Sequence, residues 1–367
     1  MGIHGIHIEL ATPADDAHIR GLLRREPVPG RIDISYEREP DFSAGCEATG
    51  ENATVLVARD LDTGAMVGVA CRSEREVFVN GTPARLGYLG HLRIDRRYRG
   101  RWLVSRGFSM LKQLHDRDPL PGYLAAVTLD NREAEGILVR KVRKPFPAFH
   151  QVARYCTLAL PVRRGSPVAG VASATTGDIP QIAGFLQTSG SRRQFFPVWS
   201  EARLISLTTR LGLCIEDVQI ARRSGRIVGL IGLWDQSAYK QDVVRSYSGW
   251  MRLAVPLYNA SAPWLRRPPL PKPGERIRSG YAALICIEQD SPSLFGDLLS
   301  ATLHRAAARG LDYVLMGLDE RDPLFRTAWK RPHIPYRSRL FLAEWPEGGH
   351  LHAQLDCRPS YVEIATL

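Results

Sequence analysis

The stretch Leu92-Arg93-Ile94-Asp95-Arg96-Arg97-Tyr98-Arg99-Gly100-Arg101-Trp102-Leu103-Val104 decides how the chain is read. It runs from an apolar strand end, through a turn dense in arginine around one glycine, into a helix. The helix shows in its face: Val104, Phe108, Leu111 and His115 recur at helical spacing beside Leu103, Gly107 and Leu114. A strand that feeds a basic turn and a helix start is a physical recipe for an anion site. The first helical turn offers unpaired N–H groups and the positive end of the dipole, and the arginines add charge.

Working outward, residues 86–94 read as the long strand before this turn. Residues 123–129 read as the next strand, closed by Asp130-Asn131, with a short helix at 132–142 and a last strand at 154–160. Upstream, residues 6–11 form a first strand. Thr12-Pro13-Ala14-Asp15 then supplies an N-cap, a proline at the first helical position and an acidic first turn. The helix after it buries Ile19, Leu22 and Leu23. Residues 35–42 are expected to form a polar helix or turn ending near Gly45. Strands at 54–58 and 66–71 make a hairpin around Asp60-Leu61-Asp62-Thr63-Gly64.

Residues 161–167, Pro-Val-Arg-Arg-Gly-Ser-Pro, read as a linker. Beyond it the chain repeats itself. Ala11-Thr12, Asp15, Ile19, Leu22 and Leu23 reappear as Ala174-Thr175, Asp178, Ile182, Phe185 and Leu186. Ala58-Arg59, Gly64 and Val67-Gly68 parallel Ala221-Arg222, Gly225 and Val228-Gly229. Gly87-Tyr88, Leu92 and Ile94 are echoed by Gly280-Tyr281, Ile285 and Ile287, and Leu129-Asp130 by Leu318-Asp319. Matches in the same order along both halves define a tandem duplication. The expected units are residues 1–162 and 168–345, with 346–367 as an extension that adds a terminal strand. In the second copy the arginine turn is replaced by Glu288-Gln289-Asp290, which repels an anion. An insertion at 234–273, rich in Trp, Tyr, Pro and Arg, carries few helix or strand signals. It reads as a long loop that shapes a cleft or serves as plain structural cover.

Composition narrows the function classes. The 367 residues are 44% hydrophobic and 24% charged, enough to build sizeable cores. No apolar run approaches the ~18–20 residues that span a bilayer, and the first residues lack a signal-peptide pattern. Six scattered cysteines without C-x-x-C pairs, and no histidine cluster at zinc spacing, point to buried thiols in a reducing, cytoplasmic setting and to no metal. The net charge of +11 admits nucleic acid, anionic membranes or a polyanionic small molecule. Nucleic acid ranks low: helix-turn-helix, zinc-finger and aromatic-sheet motifs are missing, and the basic residues are spread over both halves.

The organising stretch resembles the GNAT acyltransferase superfamily. There a strand L-x-V-x-P runs into (Q/R)-x-x-G-x-(G/A). Leu92-Arg93-Ile94-Asp95-Arg96 and Tyr98-Arg99-Gly100 match, while Trp102 and Val104 stand where small residues are usual. The resemblance implies an α/β (α+β) chain of two tandem GNAT-like domains, with mixed, mostly antiparallel sheets flanked by helices. It also implies acetyl-CoA or another acyl-CoA as co-substrate, held by the first half alone. Backbone N–H groups of Leu92, Arg93 and Ile94 would meet the pantetheine. Arg97, Arg99, Gly100, Arg101, Trp102, Leu103 and Val104 would face the phosphates.

The acceptor implied is a small-molecule or peptide amine, acylated by direct transfer in a ternary complex. Alternatively, the chain is an inert CoA-binding or scaffold protein. The usual strand carboxylate has no counterpart between residues 86 and 94, leaving His91 and Tyr88 as candidates for the base, His91 first. A histidine merely hydrogen-bonded in the core is the plain reading. Glu37 and Glu39 could serve through water. The family's N-x-x-A-x-x-L-Y run keeps Asn131 and Ala134 but has Leu138 at the tyrosine, so water protonates the thiolate. An internal pseudo-dimer makes a monomer sufficient; a homodimer is the other option.

Overall fold

Thr12 starts the first helix as its sequence requires. Its N–H and its hydroxyl both donate to Asp15 Oδ2, at 2.8 and 2.9 Å, and Thr175 repeats both bonds to Asp178 at the same distances. Two copies of one capping box open two copies of one unit. The computed structural model describes residues 5–99, 101–129, 131, 134, 136, 146–163, 165–265 and 267–367. The side chain of Arg101, Gly100, Leu138 and most of the helix expected at 132–142 lie outside the described residues.

The first half contains strands β1 (Ile6–Leu10), β2 (Ile32–Glu37), β3 (Glu51–Asp60), β4 (Met66–Val79), β5 (Thr82–Ile94), β6 (Tyr123–Thr128) and β7 (Ala148–Pro161). Among the described residues it also contains the helices α1 (Asp16–Arg25), α2 (Phe42–Thr49) and α3 (Arg101–Arg117). Helix α1 buries Ile19, Leu22 and Leu23 against Val57, Met66 and Val69. The second half has β8 (Val171–Ser173), β9 (Val218–Arg223), β10 (Arg226–Trp234), β11 (Gln241–Tyr247), β12 (Ser279–Ile287), β13 (Tyr313–Asp319) and β14 (Ile334–Glu344). Its helices are α4 (Ile179–Gly190), α5 (Glu201–Thr209), α6 (Met251–Ser261), α7 (Pro292–Ala308), α8 (Phe325–Trp329) and α9 (Leu351–Gln354).

Among the described residues, twelve strands form one sheet in the order β1-β3-β4-β5-β6-β14-β7-β13-β12-β10-β9-β8. It is antiparallel except where β5 meets β6 and β12 meets β13. The order has a symmetric exchange at its centre. The last strand of each half crosses over: β14 pairs with β6, and β7 pairs with β13. The two exchanged strands lie side by side from Ile334↔Ala159 to Glu344↔Ala148. The apolar core is therefore continuous across the halves.

Three expectations fail here for identifiable reasons. Residues 35–42 are not a helix or turn: the segment Ile32–Glu37 is strand β2, and the helix begins at Phe42, capped by Asp41 Oδ1 accepting from Ser43 N–H at 2.7 Å. The strand's partner is β11, some 200 residues later, so no local signal reveals the pairing. The insertion 234–273 is not a bare loop, since it supplies β11 and α6. Residues 346–367 add no strand. They form α9, an extended stretch with one bridge, Gln194↔Ser360, and a buried 3₁₀ turn at Ile364–Thr366.

Gly87 marks the point where β5 and β6 touch. A Cβ there would lie 2.1 Å from Cδ1 of the fully buried Tyr123. Gly87→Val is expected to lower stability by about 1–3 kcal/mol or more through overpacking. Urea denaturation of the variant would show the shifted midpoint.

Candidate active site

The site begins with a fault in β5. Cys71 pairs with Gly90 and Val69 with Arg93, so Ala70 alone faces both His91 and Leu92. His91 takes up the extra residue at φ 56°, a left-handed conformation that few residues other than glycine adopt. Strand β6 meets β5 only at Gly87↔Tyr123 and Tyr88↔Leu124, and beyond that the two diverge into a wedge. Asp95 N–H donates to Val67 O at 2.9 Å. By strand alternation Arg93 N–H also faces β4, whereas those of Leu92 and Ile94 face the wedge.

The second half repeats the fault at the matching place. Leu230 pairs with Cys286 and Gly232 with Ala283, and Leu284 adopts φ 57°. Its wedge is filled. Glu363 Oε2 accepts from Leu284 N–H at 2.8 Å, and Tyr361 hydroxyl accepts from Ile285 N–H at 3.3 Å. Tyr361 in turn donates to Glu363 Oε2 at 2.9 Å. On the other side, Tyr155 hydroxyl bonds Gly317 O and Val362 O at 3.0 and 2.7 Å. The tail thus occupies in one half the space that the other half leaves between its strands.

At the basic turn Arg96, Arg97 and Arg99 are paired. Asp95 Oδ1 accepts from Arg97 N–H at 3.0 Å, and the two side chains form a forked pair at 3.0 and 2.8 Å. That bonding holds the Asp95 carboxyl below its ordinary range. Buried Glu26 takes Arg99 at 2.9 Å and Arg96 at 3.7 Å. The pairs hold the guanidinium groups at the mouth of the turn while Arg97 stays 73% exposed. Leu103 packs with Ile6, Ala58 and Val67, and Val104 with Phe108, Leu111 and Tyr123. Trp102 lies half-buried beside Ile94 and Tyr98. The side chains at these three positions thus contribute to packing under the helix.

Beside the bulge is a polar chamber. Arg38 is 2% exposed, although it carries a charge. It runs across α2 at Gly45, where a Cβ would sit 2.4 Å from Arg38 Cδ. Its Nη1 donates to Glu37 O at 2.9 Å. Of the nine buried side-chain polar atoms without a partner among the described residues, three belong to this chamber: Arg38 Nε, His91 Nε2 and Asp242 Oδ1. Such orphans are rare in a finished core and mark a place for a ligand or water. Burial, then the charges of Arg38, Arg93, Lys240 and Arg75, hold the His91 imidazole well below its usual range, so it is neutral. Lys240 Nζ donates to Leu367 O at 3.0 Å and stands 4.4 Å above the Tyr281 ring. Burial, with Arg38 next, brings its ammonium down to about 7.

The other candidates have defined employment. Tyr88 is buried in the core under the Arg75 guanidinium, 4.2 Å from its ring, and burial pushes its hydroxyl up. Asn131 Oδ1 accepts from Ala134 N–H at 3.0 Å, a capping bond. Glu37 is paired with Arg245 and Arg24, and Glu39 with Arg20 and Arg24. Arg38, Lys240 and Asp242 escaped the sequence reading. Arg38 stood in the segment misread as a polar helix, and Lys240 and Asp242 in the supposed loop.

No family model and no curated protein matches this chain. Solved structures do. Saccharomyces cerevisiae N-myristoyltransferase with bound myristoyl-CoA superposes with TM-score 0.62 at 10% identity, over 94% of this chain and 83% of that one. The GCN5-related glucosamine N-acetyltransferase region of a fungal multi-domain GH3 β-N-acetylglucosaminidase gives 0.62 at 13%, over 93% and 38%. A GCN5-related N-acetyltransferase from Sphaerobacter thermophilus gives 0.53 at 15%, over 99% and 98%. The fold is the GNAT fold in tandem.

Proposed function

We propose that the chain is an acyl-CoA-dependent N-acyltransferase that works in its first half, with acetyl-CoA the first donor to try. One observation carries this: the same bulged wedge occurs twice, and the tail fills only the second. The N–H groups of Leu92 and Ile94 line the open wedge, where a pantetheine and a thioester carbonyl find donors. Arg97 and Arg99 meet the phosphates, with the start of α3 behind them. The orphaned atoms of Arg38, His91 and Asp242 support an amine-bearing acceptor in the chamber.

The chemistry needs an unprotonated amine, a donor for the oxyanion and a proton for the leaving thiolate. Lys240 suits the first task, because an amine poised near 7 is half unprotonated at neutral pH. Neutral His91 orients the acceptor, and wedge N–H groups stabilise the oxyanion. The amine nitrogen bonds to the acyl carbon and releases its surplus proton to water, the C–S bond breaks, and the thiolate takes a proton from water. Transfer is direct, in a ternary complex. Six unpaired cysteines agree with a cytoplasmic setting, and the crossed strands with a monomer whose two domains, 1–162 and 168–345, exchange a strand.

Calorimetric titration with acetyl-CoA and longer acyl-CoAs tests the reading. One site per chain is expected, weakened about tenfold or more in an Arg97→Ala, Arg99→Ala double variant, since charge-assisted phosphate bonds contribute about 1.5–3 kcal/mol each against internal counter-ions. No binding of any acyl-CoA at millimolar concentration leaves the scaffold reading in its place.

A further inference from the structure

We propose that His150, Glu344 and His352 form a zinc-type divalent metal site that fastens the C-terminal tail to the centre of the sheet. The exchanged strands bring the first two together: His150 lies near the start of β7, opposite Leu342, and Glu344 closes β14 opposite Ala148. His352 arrives on α9, after the chain turns back through Gly348-Gly349. One donor atom from each of the three lies within 4.8 Å of the others.

The arrangement is convergent. Glu344 is 3% exposed, and its Oε1 accepts from the backbone N–H of His352 at 3.2 Å. Its Oε2 lies 2.5 Å from His352 Nδ1 and 3.9 Å from His150 Nε2. The two imidazoles stack, centroids 3.4 Å apart and planes within 6°. One nitrogen of each ring is thus turned toward the same carboxylate oxygen, side by side. The carboxylate oxygen bonds one imidazole and lies near a second, so three donors from three separate elements surround one spot. Zinc takes nitrogen at about 2.0–2.1 Å and carboxylate oxygen at about 2.0–2.2 Å in a tetrahedron. Binding one ion therefore requires the stacked rings to splay, so that both ring planes meet at it, and the 2.5 Å contact of Glu344 with His352 to open around it.

The donor set selects the metal class. Two imidazoles and one carboxylate suit zinc and its borderline neighbours, whereas magnesium and calcium prefer oxygen alone. His350, exposed and held at φ 50°, has its ring 6.2 Å from that of His352. The site is remote from the wedge. Trp345 stacks on His115 at 4.6 Å, at the end of α3 opposite the basic turn. A helix of 17 residues is about 25 Å long at ~1.5 Å per residue. The role that remains is anchorage: just past His352 begins the stretch that enters the second wedge through Tyr361 and Glu363.

The test uses full-length protein stripped with a chelator and titrated with Zn²⁺ against a chromophoric competitor, with Co²⁺ as a spectroscopic probe. The expected result is one Zn²⁺ per chain at sub-micromolar affinity and intense visible Co²⁺ bands of a tetrahedral site. His352→Ala and Glu344→Gln should each weaken binding about 100-fold or more, since even outer partners of ligands cost 10–100-fold. Cys357→Ser, at the exposed thiol nearby, should leave it unchanged. Zinc should also slow proteolysis within residues 355–367 of the wild type and not of His352→Ala. His150→Phe, which keeps an aromatic ring in the stack, covers the case in which the alanine variant unfolds. Absence of stoichiometric zinc, or undiminished affinity in the folded Glu344→Gln or His150→Phe protein, overturns the proposal.

Discussion

Tyr361→Ala is expected to lower the stability of the chain by about 3–5 kcal/mol, the range for deleting a buried aromatic side chain. The ring is packed against Phe196 at 4.7 Å between centroids, and its hydroxyl joins Glu363 to the bulge of β12. The tail continues this fastening: Ser360 N–H donates to Asp319 at 3.0 Å, Gln236 to Ala365 O at 2.8 Å, and Arg75 to Thr366 O. Removing the ring opens a cavity and leaves Glu363 without one of its donors. Tyr361→Phe keeps the volume and loses only hydrogen bonds, at about 1–2 kcal/mol. Urea unfolding should therefore rank wild type above Tyr361→Phe and that well above Tyr361→Ala, with unchanged slope. A loss below ~1 kcal/mol for the alanine variant would mean that the tail does not hold the second wedge closed.

The sequence revealed what is local and repeated. The capping boxes at Thr12 and Thr175, the face of α3 and the Gly-Tyr pairs within β5 and β12 at Gly87 and Gly280 depend on neighbours a few residues away. The duplication made each signal readable twice. Two kinds of feature stayed hidden. The exchange of β7 and β14 follows from packing two sheets edge to edge, and no residue within either strand encodes which half it will join. The chamber is built from residues on segments read as a polar helix or turn and as a loop, because Arg38 is a buried charge and Lys240 a half-buried one, and composition places such groups at the surface. His91 shows the limit in another form. Its place next to the wedge was legible in the strand pattern. Its neutrality was not, since that depends on Arg38, Arg93, Lys240 and Arg75 converging from four separate segments.

That neutrality shifts the second large effect onto Lys240. In a transferase assay with the acyl-CoA and amine identified by binding, kcat/KM is expected to rise with pH through about 7 as Lys240 loses its proton. Lys240→Met should lower the rate by about 10²–10⁴, the usual contribution of a positioned base, and abolish that limb. His91→Gln should keep it, because an imidazole held well below 6.5 is already unprotonated across this range. Stability gives an independent reading of the same group. The unfolded chain binds the lysine proton up to about 10.4, whereas the folded chain releases it near 7. Between those values the unfolded state holds more protons, so stability rises with pH there, and the slope should disappear in Lys240→Met. A stability slope lost together with an unchanged rate limb would mean that Lys240 is buried and neutral yet takes no proton from the acceptor. Loss of the limb in His91→Gln instead would return the role of base to the bulge of β5.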